Sequence, residues 1–213
     1  MHDAEVTISN GSKTHRLKEY SIPAGNGYAL YYYSIHSADL ATSFEGAFNT
    51  SYSLTITTDG KEYTSTTTIP ALTKTIDSLW WTTASDHPDT NRVMLWGRFI
   101  DPPGYGNYIR YFTQVGQDFF YPGLASVFDD QIVDGTTYSF QIEKGINRNE
   151  DTDFEEYSFF DRGDSVTVKF CNIDKATYDF WRTMEYSYSS IGNPFSSPTR
   201  VLSNIKGGGL GYF

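Results

Sequence analysis

The clearest periodic pattern lies in "YSLTITTDGKEYTSTTTIP". Two runs that alternate apolar and polar residues flank Asp59-Gly60, a pair suited to a two-residue type I′ turn. The pattern predicts a hairpin over residues 52–69 with Ile56 opposite Tyr63. Tyr52, Leu54 and Ile56 then share the buried face, and Thr55, Thr57 and Thr64 face water. The same period of two recurs in "EVTIS", "GYALYYYSI", "IDSLWWTT", "RVMLWGRFI", "NYIRYFTQVG", "TTYSFQIEKG" and "DSVTVKF". Glycine, proline, aspartate or asparagine punctuates most of the joins. One segment departs from it. In "NIDKATYDFWRTMEYSYSS", Asp174 is placed to cap a helix over about 174–188. Tyr178, Trp181, Met184 and Tyr188 then form an apolar stripe expected to face a sheet.

The class that follows is all-β with one helix in the C-terminal half. Composition supports it, because the aromatics are mainly 17 Tyr and 15 Phe, which favour strands. Pro70 and the short "ALTKT" stretch mark a boundary between a domain over 1–73 and an antiparallel β domain over 74–213. The abrupt start at "MHDAEVTISNGS" reads as a longer protein trimmed at its front, and the end as trimmed too.

Net charge is −10. Residues 129–164 contain 11 acidic and 3 basic side chains, so that stretch alone carries −8. Nucleic acid is an unsuitable partner for such a surface. The run reads as a solvated loop, or as a surface that steers a cationic partner. The lone Cys171 lies on a strand as a structural thiol. His2, His15, His36 and His87 show no metal-ligand spacing, and no nucleophile elbow occurs. No catalytic residue, metal or cofactor is therefore assigned. "NRNEDTDFEEYS" lacks the glycine and glutamate of a calcium loop. Arg162-Gly163-Asp164 reads as a hairpin turn. "GGGLGYF" lacks the Lys-Ser/Thr pair of a phosphate loop, which leaves a tail or a strand. Candidate binding residues are aromatics near loops and the domain junction: Trp80, Trp81, Tyr105, Tyr108, Phe119, Phe120 and Tyr121. At least one of the adjacent Trp80 and Trp81 is expected to close the core.

The ending "SSIGNPFSSPTRVLSNIKGGGLGYF" resembles that of a Bacteroidetes lipoprotein family, domain of unknown function 4249. Its pieces are Asn193-Pro194-Phe195, Pro198, Ser203-Asn204-Ile205 and Gly208 to Phe213. Upstream, "AEVTIS", "TTTIP" with "IDSLWW", "DPPGYGNYIRYF", "DDQIVDG" and "RGDSVTVKF" with "IDKATYDFW" agree in order. The resemblance implies an immunoglobulin-like β-sandwich followed by a barrel-like or sandwich domain. It also implies a lipoprotein anchored at the outer membrane, on its periplasmic or cell-surface side, by a lipid this chain does not carry. The partner it implies is a TonB-dependent outer-membrane transporter, and the final glycines would lead into a last β element. The favoured expectation is a non-enzymatic module that binds a ligand or such a transporter in nutrient uptake. A structural or adhesive surface subunit and a hydrolase with a dispersed site are the alternatives.

Overall fold

The computed structural model describes residues 2–191, 193–195, 197 and 199–213. Pro198 of the ending motif lies outside the described residues. The chain divides into two compact units, one of residues 1–71 with 202–213 and one of residues 72–201. The last twelve residues, grouped with the second domain in the sequence reading, thus belong to the first unit.

The first unit contains β1 (Glu5–Ser9), β2 (Thr14–Gly25), β3 (Tyr28–Ser34), β4 (Thr50–Thr58) and β5 (Lys61–Ile69). They form a five-stranded antiparallel sheet in the order β3-β2-β1-β4-β5. The β4–β5 hairpin has the expected register, with Ile56 opposite Tyr63. Asp59 and Gly60 have φ of 49° and 71°, the left-handed pair that a type I′ turn requires. Tyr52 is buried and Leu54 and Ile56 are half-buried, but Thr55 is half-buried as well. The two faces of this hairpin are therefore less sharply divided than the alternation predicts.

The C-terminal glycines form neither a phosphate cradle nor a full strand. Lys206 makes an isolated antiparallel bridge to Thr64 on β5. Asn204 then accepts from the Phe213 N–H at 3.0 Å and donates to its carbonyl at 2.9 Å, closing the last residues into a loop. Gly207 has φ +90°, and a Cβ there would lie 2.4 Å from the Glu62 carbonyl oxygen. Only glycine fits such an approach.

The second unit contains β6 (Thr75–Thr83), β7 (Arg92–Ile100), β8 (Tyr108–Val115), β9 (Tyr121–Phe128), β10 (Thr137–Ile142), β11 (Phe160–Asp161), β12 (Val166–Ile173) and α1 (Lys175–Ser189). In one sheet β7 pairs with β6, β10 and β11, and in the other the order is β12-β8-β9. Phe99 of β7, Tyr111 of β8 and Ile142 of β10 form the buried core, with Phe170 of β12 packed on it. The ring of Phe99 lies 4.4 Å from Phe140 and 5.1 Å from Phe170. Gly97 leaves room for that ring, since a Cβ there would sit 2.5 Å from it. The all-β class with one helix is borne out, and the described strands close no barrel.

Asp174 caps α1 as expected, accepting from the Thr177 N–H at 2.8 Å. Of the expected stripe, Tyr178 is buried and Trp181 and Tyr188 are half-buried, but one position departs from it. Met184 is exposed, and Glu185 beside it is buried, along with Phe180. Glu185 accepts from the N–H and the hydroxyl of Ser126 on β9, and Arg148 reaches it at 3.3 Å. Arg110 donates to the same Ser126 hydroxyl at 3.1 Å and lies 3.5 Å from the Trp181 ring centroid. A charged, hydrogen-bonded seam thus docks the helix beside its aromatic contacts, at the place where periodicity put Met184.

Lys74, in the stretch read as a linker, is fully buried. Its ammonium lies 2.7 Å from the equally buried carboxylate of Asp101. Asn172 on β12 holds the Lys74 backbone by accepting from its N–H at 3.0 Å and donating to its carbonyl at 2.9 Å. Removing one partner of such a pair strands the other charge. Lys74→Met should therefore destabilise the protein by about 3–5 kcal/mol in denaturant unfolding, and adding Asp101→Leu should restore most of that loss.

Candidate functional site

Between β9 and β10 of the second unit lies a cleft of about 720 Å³. Phe128 at the end of β9 and Tyr138 and Phe140 on β10 supply aromatic walls, over the deeper ring of Tyr111. Tyr138 and Phe140 occur two apart on one strand, so their side chains share a face. Phe128 reaches them from the other sheet, its centroid 5.4 Å from that of Phe140. Asp129 and Glu143 bring carboxylates to the cleft, and Arg182 from α1 is the cation lining it. Ile132 stands almost fully exposed in the same lining.

The polar groups are held in place. Tyr178 of α1 donates to Asp129 at 2.8 Å and accepts from Arg182 at 2.9 Å. Burial first, then the Asp129 carboxylate, pushes the Tyr178 hydroxyl up to about 12. Tyr157 donates to Glu143 at 3.2 Å, and burial together with Glu143 likewise pushes it up to about 12. Both phenols therefore remain donors across the physiological range. Their carboxylate partners keep further lone pairs for a ligand that donates.

The wall of this cleft is anchored by carboxylates turned inward. Asp130 is buried and accepts from the N–H groups of Gly106 and Asn107 at 2.9 and 2.8 Å. Asp101 accepts from the Gly135 N–H at 3.2 Å, and Asp134 from the Gly104 N–H at 2.6 Å. The loop 101–107 and the loop 129–136 are thereby stapled together. Carboxylate oxygens of Asp101, Asp130 and Asp134 converge within 4.8 Å of one another. Lys74 and the backbone amides already compensate them, so they are structural rather than a metal set.

The acidic stretch is thus not simply a solvated loop. Besides Asp130, Glu156 bonds His87 at 2.8 Å and Arg92 at 2.9 Å. Arg92, at the start of β7, also reaches Asp161 of β11 at 2.8 Å. In the segment considered for calcium, Asn147 donates its side-chain amide to Glu150 at 2.7 Å.

The seven aromatic candidates fall in three groups, and among the described residues no ring contact joins one group to another. Tyr105 is largely exposed on the loop that Asp130 clamps, while Tyr108 is half-buried and stacks on Tyr178 at 4.8 Å. Phe119 and Phe120 are exposed at the turn before β9, where Phe119 meets the half-buried Tyr121 edge-on at 6.4 Å. Trp80 and Trp81 are 39% and 56% exposed, so neither closes the core as expected. The reason is that β6 is an edge strand. Trp80 pairs across it with Trp96, and Trp81 turns to the other face with Leu95. None of the seven lines the aromatic cleft, and Trp81 lines a separate cavity. The cleft residues escaped sequence reading because they come from four distant segments. The alternation in "TTYSFQI" and the Phe128-Asp129 pair were its local signs.

Among the described residues no histidine hydrogen-bonds a serine. No helix is long and apolar enough to cross a membrane. The architecture is that of a β-rich protein with a preformed aromatic cleft on a rigid two-sheet frame. The chain belongs to the family described as Domain of unknown function (DUF4249), which it matches over residues 1–213. No curated protein and no solved structure matches it.

Burial alone would raise the Asp130 carboxyl, but hydrogen bonds from Asn107 and Gly106 outweigh it and hold it below the usual range. Its stabilising contribution is full above the unfolded value near 4 and is lost as pH falls through the lower folded value. Asp130→Asn should lower stability at pH 7 by about 1.5–3 kcal/mol. It should also flatten the acid limb of the stability profile below about pH 4, as read by thermal melts across pH.

Proposed function

We propose that this chain is the recognition module of a non-enzymatic cell-envelope lipoprotein, anchored by lipid at the outer membrane. In this reading it binds a ligand or a TonB-dependent outer-membrane transporter and serves nutrient uptake. The observation that supports it most is the cleft between β9 and β10, where aromatic rings stand beside the tyrosine-held carboxylates Asp129 and Glu143. Such a surface suits an occupant with an apolar body and donor groups, such as a peptide segment bearing a lysine or arginine. The envelope setting is drawn from the family resemblance alone.

A second reading, a structural or adhesive surface subunit, draws on β3. This edge strand carries no charge and no proline, and six of its seven residues are exposed. Proteins normally protect such an edge, so it suits pairing with a strand from another chain.

The full-length lipoprotein, purified in gentle detergent from membranes that contain the neighbouring transporter, should bring that transporter with it. Phe128→Ala should weaken the association about tenfold or more. Raised salt should weaken it further if the carboxylates contribute. Recovery of the lipoprotein alone, with unchanged stability when the transporter is deleted, would remove the transporter claim. Association lost on disrupting β3 and untouched by Phe128→Ala would favour the second reading.

A further inference from the structure

A second cavity in the same unit is independent of the aromatic cleft. It encloses about 340 Å³ and is bounded by Trp81 of β6, Val93 and Leu95 of β7, Phe160 of β11, and the turn leading to Val166. Val93 and Phe160 are buried, so its base is apolar and already packed. Trp81 is more than half exposed, which leaves one indole face available at the rim. The turn is Arg162-Gly163-Asp164, with Gly163 at φ +101°. Its shape is fixed from within. The Asp164 N–H donates to the Asp161 carbonyl, and the Asp164 carboxylate accepts from the Asp161 N–H, both at 3.0 Å.

That turn carries Arg162 over the tryptophan. Its guanidinium carbon lies 5.2 Å from the Trp81 ring centroid, and one of its nitrogens donates to the Thr83 hydroxyl at 3.2 Å. Arg162 makes no ion pair with a carboxylate among the described residues. Asp161, which also lines the cavity, is engaged by Arg92. An arginine without a carboxylate partner thus stands at the rim of the cavity in a chain of net charge −10. A guanidinium offers five donors in a planar fork, and among the described residues only one is used.

We propose that this cavity binds a small monocarboxylate with an apolar or aromatic body. The body would fill the space over Val93, Leu95 and Phe160 beside Trp81, and the carboxylate would take the free edge of Arg162. Asp161 and Asp164, which also line the cavity, disfavour a second negative charge on the ligand.

Phenylacetate, 3-phenylpropionate and octanoate are suitable probes, titrated into the whole chain and followed by the indole N–H resonances and by calorimetry. At least one should saturate, shift the Trp81 signal, and bind roughly tenfold to hundredfold more tightly than its neutral amide. Arg162→Gln should reduce the carboxylate to the level of the amide. Arg16→Gln, in the first unit, should change nothing. Phenylsuccinate should bind more weakly than 3-phenylpropionate. Trp81→Ala should weaken acid and amide alike, which separates loss of the apolar wall from loss of the charge. The proposal is overturned if no probe saturates below about 10 mM. It is also overturned if acid and amide bind equally, or if Arg162→Gln leaves the acid's affinity intact.

Discussion

The second unit depends on a buried pair of charges, Lys74 and Asp101, from which water is excluded. Isolated, either charge would be too costly to bury, so each requires the other. Meeting that requirement fixes the strand entries around them. Lys74 precedes β6 and is gripped through its backbone by Asn172 of β12. Asp101 follows β7, and its second oxygen holds Gly135 just before β10. One contact of 2.7 Å thereby coordinates the ends of elements from both sheets. The aromatic core around Phe99 supplies hydrophobic burial, but such burial is non-directional. The ion pair and its hydrogen bonds have defined geometry and place these ends in register.

The same use of carboxylates extends outward to the cleft. Asp130 organises the backbone of the 104–107 loop, Glu185 docks the helix, and Asp129 fixes the Tyr178 hydroxyl. An acidic composition suggests repulsion and solvation. Here several acidic groups point inward and meet backbone N–H groups, tyrosine hydroxyls or arginines. The cleft is consequently bordered by anionic groups whose positions are set by contacts within the protein. Preformed polar positions of this kind lower the ordering cost of binding.

Much of the local structure was legible along the chain. The hairpin at Asp59-Gly60, with Ile56 facing Tyr63, followed from alternation and turn chemistry, which act over a few residues. So did the Asp174 cap, because the orphan N–H groups of a first turn need a nearby acceptor. The β-rich class followed from the repeated period of two. Tertiary structure decided which face of several elements was covered. Periodicity put Met184 in the packed stripe, but Ser126, Arg110 and Arg148 provide a polar seam that accepts Glu185 instead. Adjacency on a strand correctly put Trp80 and Trp81 on opposite faces. That β6 would be an edge, leaving both accessible, depended on which strands paired beside it. Lys74 looked like linker because lysine is normally solvated, and only Asp101, distant in sequence, makes its burial tolerable. Short-range preferences are written in neighbouring residues, whereas burial and the convergence of Phe128, Phe140, Tyr178 and Glu143 on one cleft arise from contacts between distant segments.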